Sequence, residues 1–334
     1  VAQPPPATMR AIAIRDGGWR FEEVPVPVPG PDQVLVRTHA AALNRADLLV
    51  LDGSYTVNPA LAAREQPIAG MDGMGEVAAV GKRVPTTSVG DRVMYMATSA
   101  FADFIAIDHR LLMPVPLTLS AVQAAATPSA AITEYDALIV QGGLREGQHV
   151  LVLGAATGVG VLATQIAHYA GAATVIGSST DPVKRTRLDR YGVHVAIDTR
   201  RPDWAATVLD ATGGHGADLV IDHLGGNALV QALSATAVGG TIVHLGHLAG
   251  RHAEIDLDQL GRRRVRLIGS TFRTRTREEL FAIAAETASA LRPALTEGAI
   301  APAVDRVFPF SQAEYAAAYL TSGQAFGKVV LDFA

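Results

Sequence analysis

The sequence predicts an α/β protein in two parts, a small twisted β-barrel followed by a doubly wound parallel sheet. Three observations carry this. The first third changes repeatedly between short β-branched runs and glycine or proline punctuation. Residues 150–200 then run strand, tight turn, helix, strand, which is the order of a βαβ unit. Beyond them strands keep alternating with helices until the tail returns to β character. At 334 residues the chain is long enough for two domains, each with its own core.

Val1 to Thr8, with three consecutive prolines, reads as a disordered leader or expression remnant before Met9. Arg10 to Ile14 alternates into a Gly17-Gly18 turn, and Trp19 to Val24 forms the return strand. The Pro25, Pro27, Pro29, Gly30, Pro31 run suits neither a helix nor a central strand and is an extended connection. Gln33 to Ala41 reads as a strand and Asn44 to Leu51 as a short helix ending near Gly53. Glu76 to Val80, Arg92 to Met96 and Phe101 to Ile107 are further strands. Ser120 to Ala137 is helical with a break at Pro128. Val150 to Leu153 is a β-branched strand, Leu162, Ile166 and Ala170 share a helix face that closes at Gly171, and Thr174 to Ile176 is the next strand. Strands at Leu219 to Asp222, Thr241 to Leu245 and Val265 to Ser270 alternate with helices around Asn227 to Val238 and Arg277 to Leu291. The tail gives strands at Ala303 to Phe308 and Lys328 to Phe333, with a helix at Gln312 to Ser322 between them.

Composition excludes several functions. A net charge of −4 gives no reason to expect nucleic acid or an anionic membrane as partner. No apolar run reaches the length of a membrane span, and no export signal is visible at the start. With no cysteine there is no disulfide, thiolate zinc site or cysteine nucleophile, which points to a cytoplasmic protein.

The turn Gly154, Ala155, Ala156, Thr157, Gly158, Val159, Gly160 lies between a strand and a helix N-terminus, where small residues let a backbone approach a pyrophosphate. An NAD site wants Asp or Glu at the end of the second strand to hold the ribose 2′-OH. This chain has Gly177, Ser178 and Ser179 there, with Lys184, Arg185 and Arg187 in the next helix. Hydroxyls and cations suit a 2′-phosphate, so NADPH is favoured over NADH. Asp181 before Pro182 is better read as a helix N-cap than as a ribose ligand.

Asn44-Arg45-Ala46-Asp47, Gly53-Ser54-Tyr55, Gly70-Met71-Asp72-Gly73, Gly90-Asp91-Arg92-Val93, the glycine turn, Asp222 before Gly225-Gly226, Gly269-Ser270-Thr271 with Arg273, and Gly327-Lys328 together resemble the medium-chain dehydrogenase/reductase superfamily across nearly the whole chain. Within it the chain resembles the zinc-free quinone oxidoreductase, ζ-crystallin-like branch. That resemblance implies a GroES-like catalytic domain over 9–125, a Rossmann NADPH-binding domain over 126–269 and a return to the catalytic domain over 270–334, in a homodimer. Zinc relatives carry a cysteine at the Asn44 position and Gly-His-Glu at Gly70-Met71-Asp72, so no metal is expected. His244 and His247, three residues apart at a strand-to-loop junction, need not share a face and are not read as a metal pair.

By the same resemblance Asn44 contacts the nicotinamide ribose or the substrate; it also reads as an ordinary helix-start asparagine. Asn44, Asp47 and Tyr55 reproduce a spacing at which related enoyl-thioester reductases have a tyrosine implicated as proton donor, and the alternatives for Tyr55 are a loop anchor or a pocket wall. Thr133 resembles the threonine near the nicotinamide carboxamide, while Glu134 beside it departs from the usual small residue and is assigned to an exposed helix turn. Leu245, Gly246, Gly327 and Lys328 resemble contacts to the nicotinamide half. Thr199 replaces a 2′-phosphate tyrosine, so Arg200 takes over that role. Arg262 to Arg264 read as a solvated or edge-protecting run, and Asp103 as a structural replacement for a common glutamate.

The function expected is zinc-independent, NADPH-dependent hydride transfer to a small-molecule quinone or other α,β-unsaturated carbonyl. Two alternatives stand beside it, an enoyl-thioester or biosynthetic enone reductase, and an NADPH-binding protein with a structural or sensing role.

Overall fold

The computed structural model describes residues 5–51, 53–61 and 67–334. Residues 1–4 of the expected leader therefore lie outside the described residues. Order begins before Met9, because the Ala7 carbonyl accepts the Val26 N–H and Thr8 already belongs to a strand.

In chain order, β1 (Thr8–Arg15) and β2 (Gly18–Pro25) form a hairpin whose two-residue turn, Asp16-Gly17, has positive φ at both positions. There follow β3 (Gln33–Leu43), α1 (Arg45–Leu49), β4 (Asp72–Val80), β5 (Arg92–Met96), β6 (Phe104–Asp108) and β7 (Leu112–Pro114). The helix expected from 120 to 137 is two pieces, α2 (Ala121–Ala125) and α3 (Pro128–Tyr135), and the latter runs on as a wider π-type turn through Gln141. The glycine-turn region gives β8 (His149–Leu153), α4 (Gly160–Tyr169) and β9 (Thr174–Ser178). Next come α5 (Pro182–Arg185), β10 (Val195–Ile197), α6 (Trp204–Ala211), β11 (Ala217–Asp222), α7 (Gly226–Ala235), β12 (Thr236–His244), α8 (Leu257–Arg263) and β13 (Arg266–Gly269). The tail is α9 (Arg277–Glu297), β14 (Val304–Pro309), α10 (Ala313–Thr321) and β15 (Lys328–Asp332).

Three element boundaries differ from the sequence reading for identifiable reasons. The helix expected to reach Val238 stops at Ala235, because Thr236, Ala237 and Val238 are taken into β12 and the Thr236 hydroxyl caps the helix on the Ala232 carbonyl. Phe101 precedes β6 instead of starting it, its N–H on the Ala69 carbonyl and its carbonyl on the Ile12 N–H. Helix α9 passes through Pro293 to Glu297, held by buried Leu291, Ala294 and Leu295 and by a capping box of Thr276 with Glu279.

The chain divides into two compact units, Val1–Ile132 with Phe272–Ala334, and Thr133–Thr271. The first unit holds a seven-stranded sheet in the order β14-β15-β3-β4-β5-β7, with β6 also pairing β3, beside the β1-β2 hairpin. Every pairing in that sheet is antiparallel except β14 with β15. Its core gathers Ile12, Trp19, Leu43, Tyr95, Phe101, Ile105, Phe310 and Leu331. Gly70, at φ +93°, makes room for Phe101, whose ring would lie 2.2 Å from a Cβ there.

The second unit is a six-stranded parallel sheet in the order β10-β9-β8-β11-β12-β13. Val150 to Leu153 and Val220 to Asp222 are fully buried, as the central strands of a two-sided parallel sheet must be. Strand order runs outward in both directions from β8, so the topological switch point lies between β8 and β11, where open α/β sheets take their ligands.

Phe101 is buried and meets Trp19 edge-on with ring centroids 5.5 Å apart. Phe101→Ala should cost about 3–5 kcal/mol of stability. A shift of the urea midpoint, read by tryptophan fluorescence, measures it; a loss below about 1 kcal/mol would mean the site collapses to fill the hole.

Candidate active site

In the first unit a polar cluster forms on residues far apart in sequence. The Lys328 ammonium, from β15, donates to Asp72 Oδ2 at 2.9 Å and to Asn44 Oδ1 at 2.6 Å. The Asn44 amide nitrogen donates to Asp72 Oδ2 at 3.0 Å, and the Ser129 N–H to Asp72 Oδ1 at 2.8 Å. The Ser129 hydroxyl completes the set by donating to Asp72. Both ends of the Asn44 amide are therefore fixed. The Lys328 and Asp72 side chains are 3% and 0% exposed, so this is a buried ion pair whose remaining hydrogen-bonding capacity is met by neighbours.

Asn44 is also the N-cap of α1, and its N–H donates to the Asp47 carboxylate at 2.7 Å. Asp47 is buried. Burial, reinforced by the Asp72 charge and opposed by the Asn44 hydrogen bonds and by Lys328, pushes its carboxyl up to about 7. Tyr55 lies on the loop after α1, its N–H on the Leu49 carbonyl and the Arg273 guanidinium 5.2 Å from its ring centre. Burial raises the Tyr55 phenol, Asp47 adds to the effect, and Arg273 partly offsets it.

In the second unit the glycine turn is built to stay tight. Gly154 has φ +82°, the Thr157 hydroxyl donates back to its carbonyl at 2.8 Å, and the Gly160 N–H donates to the Thr157 hydroxyl at 3.0 Å. A Cβ on Gly160 would lie 2.3 Å from the Gly154 carbonyl oxygen, so α4 can start this close to β8 only with glycine there. The ten-residue α4 opens directly after the turn; its first four N–H groups are taken by Thr157 and Val159, so what it offers a phosphate is the positive end of its dipole.

The rim at the end of β9 departs from the sequence reading at one residue. Ser178 is buried and its hydroxyl accepts the Gly154 N–H at 2.9 Å, so it braces the turn from below. Ser179 is half-buried beside it. Asp181 caps α5 by accepting the Val183 and Lys184 N–H groups, as expected. Arg200 forks onto Asp198 at 2.8 and 3.1 Å and also donates to the Thr180 carbonyl, while Arg185 reaches Asp198 at 3.0 Å. The Arg200 hydrogen bonds, with Arg185, hold the Asp198 carboxyl down at about 2. Asp198 is shared by Arg185 and Arg200, and Asp181 Oδ1 is used as a helix cap, so neither acid stands as a simple ribose ligand and the rim is rich in cations.

At the switch point, consecutive residues of one strand end carry two imidazole–carboxylate pairs. Asp222 is buried, accepts the Leu224 and Gly225 N–H groups, and meets His244 Nδ1 at 2.7 Å. His223 is buried with Nδ1 on the Leu153 carbonyl and Nε2 on Glu134 Oε1, each at 2.8 Å. This corrects the assignment of Glu134 to an exposed helix turn, since its side chain is 0% exposed. The half-buried Thr133 precedes it. Leu245 and Gly246 both donate to the Asp222 carbonyl, and Gly327, at φ +86°, turns the chain into β15 where a Cβ would lie 2.3 Å from the Ala303 carbonyl oxygen. Asp103 pairs with Arg10 on the surface, and Arg263 of the arginine run donates to the Thr236 carbonyl. His244 and His247 have ring centres 5.9 Å apart. No group of three or more His, Cys, Asp or Glu side chains among the described residues could hold a metal ion.

The structure joins Asn44 to Lys328 and adds Asp72 and Ser129, which the sequence reading does not place in the site. Gly70-Met71-Asp72-Gly73 is the available signal for Asp72; Ser129 has none beyond the helix break at Pro128.

Two family models match the chain, an alcohol dehydrogenase GroES-like domain over 30–116 and a zinc-binding dehydrogenase over 158–289. A mycobacterial quinone oxidoreductase structure is 30% identical, covers 97% of this chain and 99% of its own, and superposes with a TM-score of 0.83. A mycobacterial protein complexed with NADPH is 29% identical over 97% of this chain and 100% of its own, with a TM-score of 0.84. A phenolphthiocerol/phthiocerol polyketide synthase polypeptide of Mycobacterium tuberculosis is 35% identical over 218 residues, 65% of this chain. The chain spans about a tenth of the length of the first curated relatives it matches.

Asp47 gives the cluster a pH signature. Its carboxyl is raised to about 7 from 3.8, so between those values the folded state binds the extra proton and stability falls as pH rises. Asp47→Asn, which can still accept the Asn44 N–H, should gain on the wild type by up to about 1.4 kcal/mol per pH unit as pH rises toward 7, and level off beyond. Urea midpoints for both proteins from pH 5 to 8 check this; a difference independent of pH would contradict it.

Proposed function

The chain belongs to the medium-chain dehydrogenase/reductase superfamily, and from that premise we propose that it is an NADPH-dependent, zinc-independent reductase that delivers hydride to a quinone or other conjugated carbonyl. The observation that carries the cofactor reading is the glycine turn at the switch point, with Ser178, Ser179 and Thr180 rather than Asp or Glu at the end of β9 and Lys184 in the helix that follows. The NADPH-bound relative supports it. Zinc independence rests on the donor set: the oxygens of Asn44 and Asp72 already hold the Lys328 ammonium.

When bound, NADPH supplies the hydride. The chain's own residues bind and orient it: Gly154 to Gly160 with the N-terminus of α4 take the pyrophosphate, and the cations beside β9 take the 2′-phosphate. Thr133, Leu245 and Gly246 are the candidates for the nicotinamide half in the second unit; the buried Lys328 ammonium is taken up by Asp72 and Asn44. As a conjugated carbonyl accepts hydride, negative charge develops on its oxygen and hydrogen-bond donors stabilise it. For an enone or enoyl thioester, which needs a proton at carbon after hydride addition, the Tyr55 phenol, raised further by burial, is the candidate donor at Oη. A homodimer is the assembly that the family likeness favours.

A second reading, reduction of an enoyl thioester, is favoured by one observation, the 35% identity to a polyketide synthase. Tyr55 separates the two. Initial rates with NADPH and NADH across quinones, enones and enoyl thioesters test the proposal. NADPH-selective quinone turnover that survives Tyr55→Phe is the expected result. Turnover confined to enones or thioesters, with a loss of about 10²–10⁴-fold in Tyr55→Phe and unchanged NADPH affinity, would move the assignment to alkene reduction. NADPH binding without turnover of any acceptor would leave a structural or sensing role.

A further inference from the structure

The Glu134–His223 pair sits where the second unit is expected to take its ligand. His223 directly follows β11 and reaches the carbonyl of Leu153, the last residue of β8, so the imidazole bridges the two strands that flank the switch point. It packs beneath the glycine turn: a Cβ on Gly154 would lie 3.4 Å from the Cβ of His223. From α3, Glu134 Oε1 meets the other ring nitrogen at 2.8 Å. These two contacts fix the proton count. A carbonyl only accepts, so Nδ1 carries a proton; Nε2 and Oε1 then need one proton between them, on the imidazolium or on the carboxylic acid. Without it, an imidazole lone pair would face a carboxylate at hydrogen-bond distance, and the contact would open.

We propose that Glu134 and His223 form a proton-holding clamp across the floor of the switch-point crevice, and that dinucleotide binding requires the clamp to be protonated. This rests on the reading that the second unit takes NADPH. The pair acts through the backbone it positions, the end of β8 and the turn that follows, and its role is one of positioning. Glu134 Oε2 is buried with no hydrogen-bond partner among the described residues, so an ionised Glu134 without its imidazole proton is poorly solvated, and deprotonation is costly. Burial alone would lower the His223 imidazole, but the Glu134 charge and hydrogen bond, the Leu153 carbonyl and Asp222 together raise it. The surrounding charges are few. Asp222 on β11 acts on the ring while bonded to His244 of β12, β8 offers the Leu153 carbonyl, and Asp136, beyond the end of α3, accepts from Ser270 and Gln141.

The sign follows. Below the raised value the pair keeps its proton and the clamp is closed; as pH rises through it the proton leaves and binding weakens. Glu134→Gln keeps the bridge without the proton, because the Gln amide N–H donates to a neutral Nε2. Fluorescence titration of NADPH from about pH 7 to 9.5, above the range in which its 2′-phosphate titrates, tests this in the full chain. Wild-type Kd should be flat at the acid end and then rise by about tenfold per pH unit, while Glu134→Gln should bind within about threefold of the wild type at neutral pH and lose the alkaline rise. A wild-type Kd flat over the whole range, or the same rise in Glu134→Gln, overturns the clamp while leaving the NADPH reading intact. Absence of NADPH binding at every pH overturns both. Should Glu134→Gln fail to fold, the wild type alone decides: the His223 ring, followed by nitrogen-15 NMR and assigned by its absence in His223→Asn, should titrate at higher pH with saturating NADPH than without, and an unchanged titration contradicts the proposal.

Discussion

The first unit depends on one buried ion pair. Lys328 and Asp72 bring two opposite charges out of water, and a pair of that kind is tolerated only when its remaining hydrogen-bonding groups are met. They are met by Asn44 and Ser129, so the pair ties together β15, β4, the start of α1 and α3. Removing either charge would strand the other in the core, at a cost of about 3–5 kcal/mol. The same arrangement takes away the conformational freedom of Asn44: its amide cannot turn without breaking bonds to both charges. Asn44 is therefore a rigid element beside Asp47 and the Tyr55 loop.

The second unit rests on a different constraint, close approach of backbone. Gly160 and Gly177 let the turn, α4 and β9 pack where a side chain would collide, Gly154 supplies the positive φ of the turn, and the Ser178 hydroxyl closes the gap beneath it. Asp222 and His223, adjacent in sequence, face opposite neighbours: Asp222 fixes His244 on β12, and His223 fixes the end of β8 and Glu134. Two imidazole–carboxylate pairs thus stiffen the strand ends from which a ligand site would be built, one half-buried and one enclosed.

Local features are the readable ones. The β-branched run of β8, the small residues after it and the helix closing at Gly171 specify the turn within about twenty residues, and the Asp181 cap is a property of neighbouring residues. What the sequence hides are partnerships across distance. Asp72 and Asn44 are 28 positions apart, Ser129 and Asn44 85, and Glu134 and His223 89, and no spacing rule connects them. Glu134 reads as exposed because a charged residue on a helix ordinarily seeks water; a partner 89 residues away reverses that preference. Ser178 is recognisable as a residue of the cofactor region, but strand alternation alone does not tell which way its hydroxyl points. The overrun of α7 to Val238 shows a helix pattern yielding at Thr236, which pairs with Ala217 of the parallel neighbour β11.

The proposed reaction is hydride transfer from NADPH to a conjugated carbonyl, with the proton arriving separately. The most direct measurement uses NADPH deuterated at one face of nicotinamide C4, an α,β-unsaturated ketone as acceptor, and mass and NMR analysis of the product. Hydride transfer predicts one deuterium at the carbon β to the carbonyl, from one cofactor face only, and a solvent-derived hydrogen at the α carbon. A reduced product that carries no deuterium from either face of the cofactor would contradict it.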